Sequence, residues 1–100
     1  MKLNSRRDPR CNKSNIYNAY DPEVESRIAI MAAEQNKGRK EILRGLFCEM
    51  FCIPHFHSTA VVVRIVVRAV NKRCEAVGQP SYIILNDLLC KQLKIEIEAV

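Results

Sequence analysis

One hundred residues, 48% of them hydrophobic, suffice for one compact domain with a core of modest size. The longest apolar block, residues 60–70, is broken by Arg64 and Arg68, so no run reaches the roughly 18 apolar residues of a membrane helix, and the N-terminus lacks the apolar stretch of a secretory signal. Five cysteines, an odd number without the spacing of a disulfide framework, fit a reducing compartment, and a cytoplasmic protein is expected.

The formal net charge is +5, and it is concentrated at the start of the chain, where Lys2, Arg6, Arg7, Arg10 and Lys13 stand against Asp8 alone. Residues 1–13 read as a flexible basic arm, with Arg6, Arg7 and Arg10 available to DNA phosphates. A solvated tail is the plainer alternative. Residues 14–20 (SNIYNAY) mix Tyr and Ile with polar residues and read as a short strand. Asp21-Pro22 is a helix start, with Pro placed where its missing N–H is harmless. Val24, Ile28, Met31 and Ala32 follow at helical spacing. Asn36, Lys37 and Gly38 break the pattern, and a second helix carries Ile42, Leu43, Leu46, Phe47, Met50 and Phe51.

Pro54 stops that helix within the connector CIPHFHS, residues 52–58. Residues 59–67 (TAVVVRIVV) are rich in β-branched side chains and form the strongest strand candidate. Residues 68–77 read as a helix, 78–81 as a turn and helix start, and 82–93 as a further helix. The tail, residues 94–100 (KIEIEAV), alternates with period two. Shifting the chain by 42 residues lays Val24 on Val66, Ile28 on Val70, Asn36 on Gly78, Leu43 on Leu85, Leu46 on Leu88 and Cys48 on Cys90. Coincidence of turns and apolar positions together favours an internal duplication.

The string IYNAYDPEVESRIAIMAAEQNKGRKEILRGLF resembles the ribbon–helix–helix family of DNA-binding proteins. It departs from that family where Asn36 stands in place of the usual Gly, and where Gly38-Arg39-Lys40 replaces a hydroxyl-capped helix start. With the duplication, the chain resembles the tandem TraY-type relaxosome accessory proteins of conjugative plasmids. The resemblance implies an α+β fold that is mainly helical, in which two tandem units, 14–52 and 57–93, share one two-stranded antiparallel ribbon above four helices, residues 14–100 forming a single domain. It further implies sequence-specific binding of double-stranded DNA through a β-ribbon in the major groove, as a repressor or a transfer accessory factor. A relaxase or another DNA-bound copy would be a further partner. No membrane is expected as a partner.

Counting back from Asp21-Pro22 as in that family puts Asn15, Tyr17 and Ala19 on the groove face, with Asn18 there instead if the register slips by one. Asn is suited to bidentate pairing with adenine. Thr59 and Val61 occupy the matching positions of the second unit. Lys37, Gly38, Arg39 and Lys40 at one helix start, and Gln79 and Ser81 at the other, are placed for phosphate contact. Cys48, Cys52, His55 and His57 include four zinc-type ligands, but the His pair is tighter than usual and no Cys-x-x-Cys is present, so a core-plus-linker reading is preferred and no metal or cofactor is expected. Neither a phosphate-binding loop, a nucleophile elbow nor a carboxylate pair is evident, which argues against an enzyme. The alternative class is a protein–protein adaptor without direct DNA readout, supported by the scarcity of polar groups in residues 59–67.

Overall fold

The computed structural model describes residues 11–13 and 15–95, which form four helices: α1 (Pro22–Gln35), α2 (Arg39–Met50), α3 (Thr59–Val77) and α4 (Ser81–Leu93). No strand occurs among the described residues, so the α+β fold with a shared ribbon is replaced by an all-helical one. Both expected strands fail, for different reasons.

Residues 59–67 belong to α3, which runs unbroken to Val77. Ser58 starts it, its Oγ accepting a hydrogen bond from the Val61 N–H at 3.3 Å. Val62, Val66 and Val70 are buried, whereas Arg64, Arg68 and Lys72 are exposed. All six are even-numbered and would share one face of a strand. A two-residue step turns a helix by about 200°, so only a helix sends the valines inward and the cations outward. That partition outweighs the β preference of the branched side chains, which is a weaker and more contextual term.

Residues 15–18 are folded into turns and 19–20 are irregular. The Asn15 N–H donates to the Asn12 carbonyl at 3.1 Å, and the Asn18 N–H to the Asn15 carbonyl at 3.2 Å. The two asparagines also cap each other: Asn12 N–H donates to Asn15 Oδ1 at 2.9 Å and Asn15 N–H to Asn12 Oδ1 at 3.0 Å. Asparagine side chains of this kind compete with a strand ladder for the backbone donors. With residues 59–67 helical, the segment also has no strand to pair with.

The helices follow from their apolar faces. Val24 and Ile28 are buried from α1, and Ile42, Leu43, Leu46, Phe47 and Cys48 from α2. Ile84, Leu85, Leu89, Cys90 and Leu93 are buried from α4, and all join one core with Ile16 and Ile53. Helices α2 and α4 touch at the centre; α1 and α3 each pack on both and do not touch one another. Asp21 holds the N-cap position of α1, yet its carboxylate accepts from Asn86 Nδ2 on α4 at 2.8 Å and caps no helix N–H.

The backbone repeats itself. Left-handed residues occur at Asn36 (φ 55°), Cys52 (φ 55°), Gly78 (φ 70°) and Lys94 (φ 58°), so that 36 and 52 recur at 78 and 94, an offset of 42 residues. The same closure ends α2 and α4: Ile53 N–H donates to Cys48 O at 2.8 Å, and Ile95 N–H to Cys90 O at 2.9 Å. Gly78 closes α3, and a Cβ built there would meet nothing within 4 Å. Gly78→Ala is therefore expected to cost only the backbone term, about 1–2 kcal/mol, and Gly78→Asn less, since Asn36 adopts that conformation in the other half. Urea unfolding of the two variants checks the order.

Candidate nucleic-acid interface

Helix α3 presents Arg64, Arg68 and Lys72 at intervals of four residues, all exposed. At 1.5 Å per residue the row extends about 12 Å, the axial length of three to four phosphates on one DNA strand. Among the described residues the one ion pair is Arg39–Glu25, so none of the three cations is neutralised there. Beside the row runs a groove of about 930 Å³, lined by Ala60, Val63 and Val67 along its floor, by the three cations and Glu75, and by Cys11, Asn12 and Lys13 opposite.

Asn71 fixes that opposite wall. Its Oδ1 accepts the Cys11 N–H at 2.7 Å, and its Nδ2 donates to the Cys11 carbonyl at 2.9 Å. A two-point clasp on one backbone residue sets both position and direction. The clasp holds Cys11 on α3, beside the turn of helix that carries Arg68 and Lys72. The Cys11 side chain is buried, which pushes its thiol up to about 12, the neighbouring Cys74 adding to the effect. It is a packing group with negligible thiolate at neutral pH.

The residues expected to read bases are dispersed. Tyr17 is half-buried, its ring 6.2 Å from that of Phe47 and 5.5 Å below Lys40 Nζ. Asn18 and Ala19 are exposed, and Asn15 is engaged in the turn with Asn12. Thr59 lies in the first turn of α3, where its Oγ1 accepts from Arg44 Nε at 3.3 Å, and Val61 supplies the N–H capped by Ser58. Arg44 also donates to the carbonyls of His55 and His57, clamping the α2–α3 connector.

At the start of α2, Lys37, Gly38 and Lys40 are exposed, but Arg39 is committed inward. Arg39 binds both Glu25 oxygens, at 2.9 and 2.7 Å, and donates to the carbonyls of Tyr17 at 2.7 Å and Asn18 at 3.0 Å. It staples the turn segment to α1. Ser81 is buried at the start of α4. Thus Tyr17, Arg39 and Lys40 are brought together, whereas Thr59 and Val61 lie on α3 and Ser81 on α4. Arg6, Arg7 and Arg10 lie outside the described residues.

No family model matches the chain, and neither do curated proteins or solved structures. Its chemistry is carried by its own side chains. Among the described residues no group of three or more His, Cys, Asp or Glu is placed to hold a metal, with Cys48 buried and Cys52 and His55 exposed. No helix there is long and apolar enough to cross a membrane. The residues that sequence reasoning passed over are Arg64, Arg68, Lys72 and Asn71. The interval of four among the cations is the signal for the first three; the partner of Asn71 lies 60 residues away and leaves no local trace.

Proposed function

We propose that this chain binds double-stranded DNA through the basic face of α3 together with the arm of residues 1–10. The observation that carries the reading is the Asn71–Cys11 clasp, which holds the residue following the basic stretch of Lys2, Arg6, Arg7 and Arg10 on the helix of Arg64, Arg68 and Lys72, three cations without an ion-pair partner among the described residues. The two basic groups then act as one surface. Its contacts are to phosphates, which set affinity and orientation without reading sequence. Repression and assembly at a transfer origin, the two roles implied by the resemblance, both need a DNA-bound protein, and the α3 face serves either.

Salt-titrated binding to a random duplex tests it. The slope of log K against log salt should steepen by about 0.9 for each phosphate contacted. Arg64→Ala, Arg68→Ala and Lys72→Ala combined should flatten the slope by about 2–3. Asn71→Ala changes no charge, yet should weaken binding and make deletion of residues 1–10 less damaging than in the parent. An unaltered slope in the triple variant would end the proposal.

A further inference from the structure

The α3 groove has a feature that phosphates do not use. Its floor is apolar, made by Ala60, Val63 and Val67, while its cationic edge is Arg64, Arg68 and Lys72. A ligand complementary to both must place apolar groups on one side and negative charges on the other, and keep that division along the helix. Glu75 is the single acid on the lining, against four cations when Lys13 is included. The basic arm is thus a poor occupant.

One segment of the chain has the required pattern. Residues 96–100 read Glu-Ile-Glu-Ala-Val, with Ile97 and Ala99 at odd positions and Glu96, Glu98 and the terminal Val100 at even ones. In an extended conformation these two sets face opposite sides. The glutamates then repeat every two residues, about 6.7 Å. Cations four residues apart on a helix repeat about every 6 Å. From Ala60 to Glu75 the groove runs about 22 Å along α3, and five extended residues, about 17 Å, fit within it. Charge, polarity and length agree.

We propose that the α3 groove is a docking site for the acidic segment of residues 96–100 of a second copy of this chain, with Glu96 and Glu98 on the cationic edge and Ile97 and Ala99 on the valine floor. A second copy is favoured by where the segment departs, because Ile95 is held beside α1. Lys94 and Ile95 line a separate depression with Glu23, Ser26, Arg27 and Ile30 of α1, and Arg27 holds the Leu93 carbonyl at 2.8 Å. Helices α1 and α3 do not touch, each packing on α2 and α4. With α2 and α4 in contact between them, packings of about 8–10 Å set α1 and α3 about 14–17 Å apart, whereas Glu98 lies within about 11 Å of chain from Ile95. The adaptor character expected from the apolar 59–67 region is here directed at the chain's own kind. The proposal stands without the DNA reading, although the shared cations make DNA and the segment competitors.

The test uses the chain ending at Ile95 and a fluorescent peptide of residues 94–100, with no DNA present. Anisotropy should show saturable binding that weakens with salt and falls at least tenfold with Arg64→Glu plus Arg68→Glu. Both positions are exposed, and circular dichroism verifies that the variant stays helical; Lys72→Glu alone, expected to weaken binding about threefold, serves if it does not. A peptide carrying Glu96→Lys and Glu98→Lys should bind the doubly reversed chain within threefold of the parent pair. A peptide of the same composition in the order KIIEEAV, its alternation broken, should lose binding. In ultracentrifugation the full chain should self-associate, and removal of residues 96–100 should abolish this. No peptide binding, or binding indifferent to charge reversal, overturns the docking site. A full chain that stays monomeric while the peptide binds the truncated one overturns the second copy as its source.

Discussion

Phe47→Ala should lower the melting temperature by about 15–30 °C. The side chain is fully buried on α2, and its ring meets the half-buried Tyr17 at 6.2 Å. Removing a buried Phe loses its transfer energy and leaves a cavity the neighbours fill only in part, about 3–5 kcal/mol. A domain of this size is stable by about 5–15 kcal/mol in total, and each kcal/mol moves the midpoint by about 4–8 °C. Phe47→Leu should be far milder, under about 1.5 kcal/mol. The repeat supplies the reason: Leu89 sits at the equivalent place on α4 and is equally buried. Phe56→Ala is the control, since Phe56 is 84% exposed in the connector and should change stability by less than about 0.5 kcal/mol. Thermal melts of the three variants decide the matter, and similar losses from Phe47 and Phe56 would contradict the placement of the core.

The residues that made the helices legible in the sequence are those whose causes are local. Asp21-Pro22 begins α1, Asn36 and Gly78 end helices in the left-handed conformation, and the apolar positions of α2 lie at helical spacing. Over residues 59–67 of α3 two local signals disagree, branched side chains favouring a strand and the four-residue interval of the cations favouring a helix. The odd positions of that stretch, Val61, Val63, Ile65 and Val67, mimic one apolar strand face. Burial resolves it, as the inward valines and outward cations are all even-numbered. Tyr and Ile favour a strand in residues 14–20, whereas reciprocal asparagine caps between Asn12 and Asn15 make turns at 15–18. The site was less legible than the fold because its organising contacts are long-range. Nothing near Arg39 in sequence announces that Glu25 will neutralise it, and nothing near Asn71 announces Cys11.

Arg39→Met should cost about 1.5–3 kcal/mol at pH 7 and remove part of the chain's acid sensitivity. Arg39 gives two charge-assisted bonds to Glu25 and one each to the carbonyls of Tyr17 and Asn18. Glu25 in turn accepts the Tyr20 N–H at 2.7 Å, so one pair holds the whole turn segment against α1. The side chains are 36% and 29% exposed, which lets solvent screen the pair and keeps the estimate well below the sum of its bonds. The Arg39 hydrogen bonds are the main reason that the Glu25 carboxyl titrates below its ordinary range, with burial opposing and the Tyr20 N–H assisting. The unfolded chain, with an ordinary Glu near pH 4.3, therefore binds the proton more readily than the folded one. Stability from this pair is fully present above that value and is lost as pH falls through the lower, folded one. The parent and Arg39→Met should thus differ most above about pH 5 and draw together as pH falls below the ordinary Glu range. Glu25→Gln should flatten the same window while keeping an acceptor for Tyr20, and Arg39→Lys should recover little, because an ammonium cannot span both oxygens and two carbonyls. Urea midpoints at pH 7, 5 and 3 provide the measurement. A difference between parent and Arg39→Met that stays constant across those pH values would show that the arginine acts through packing alone.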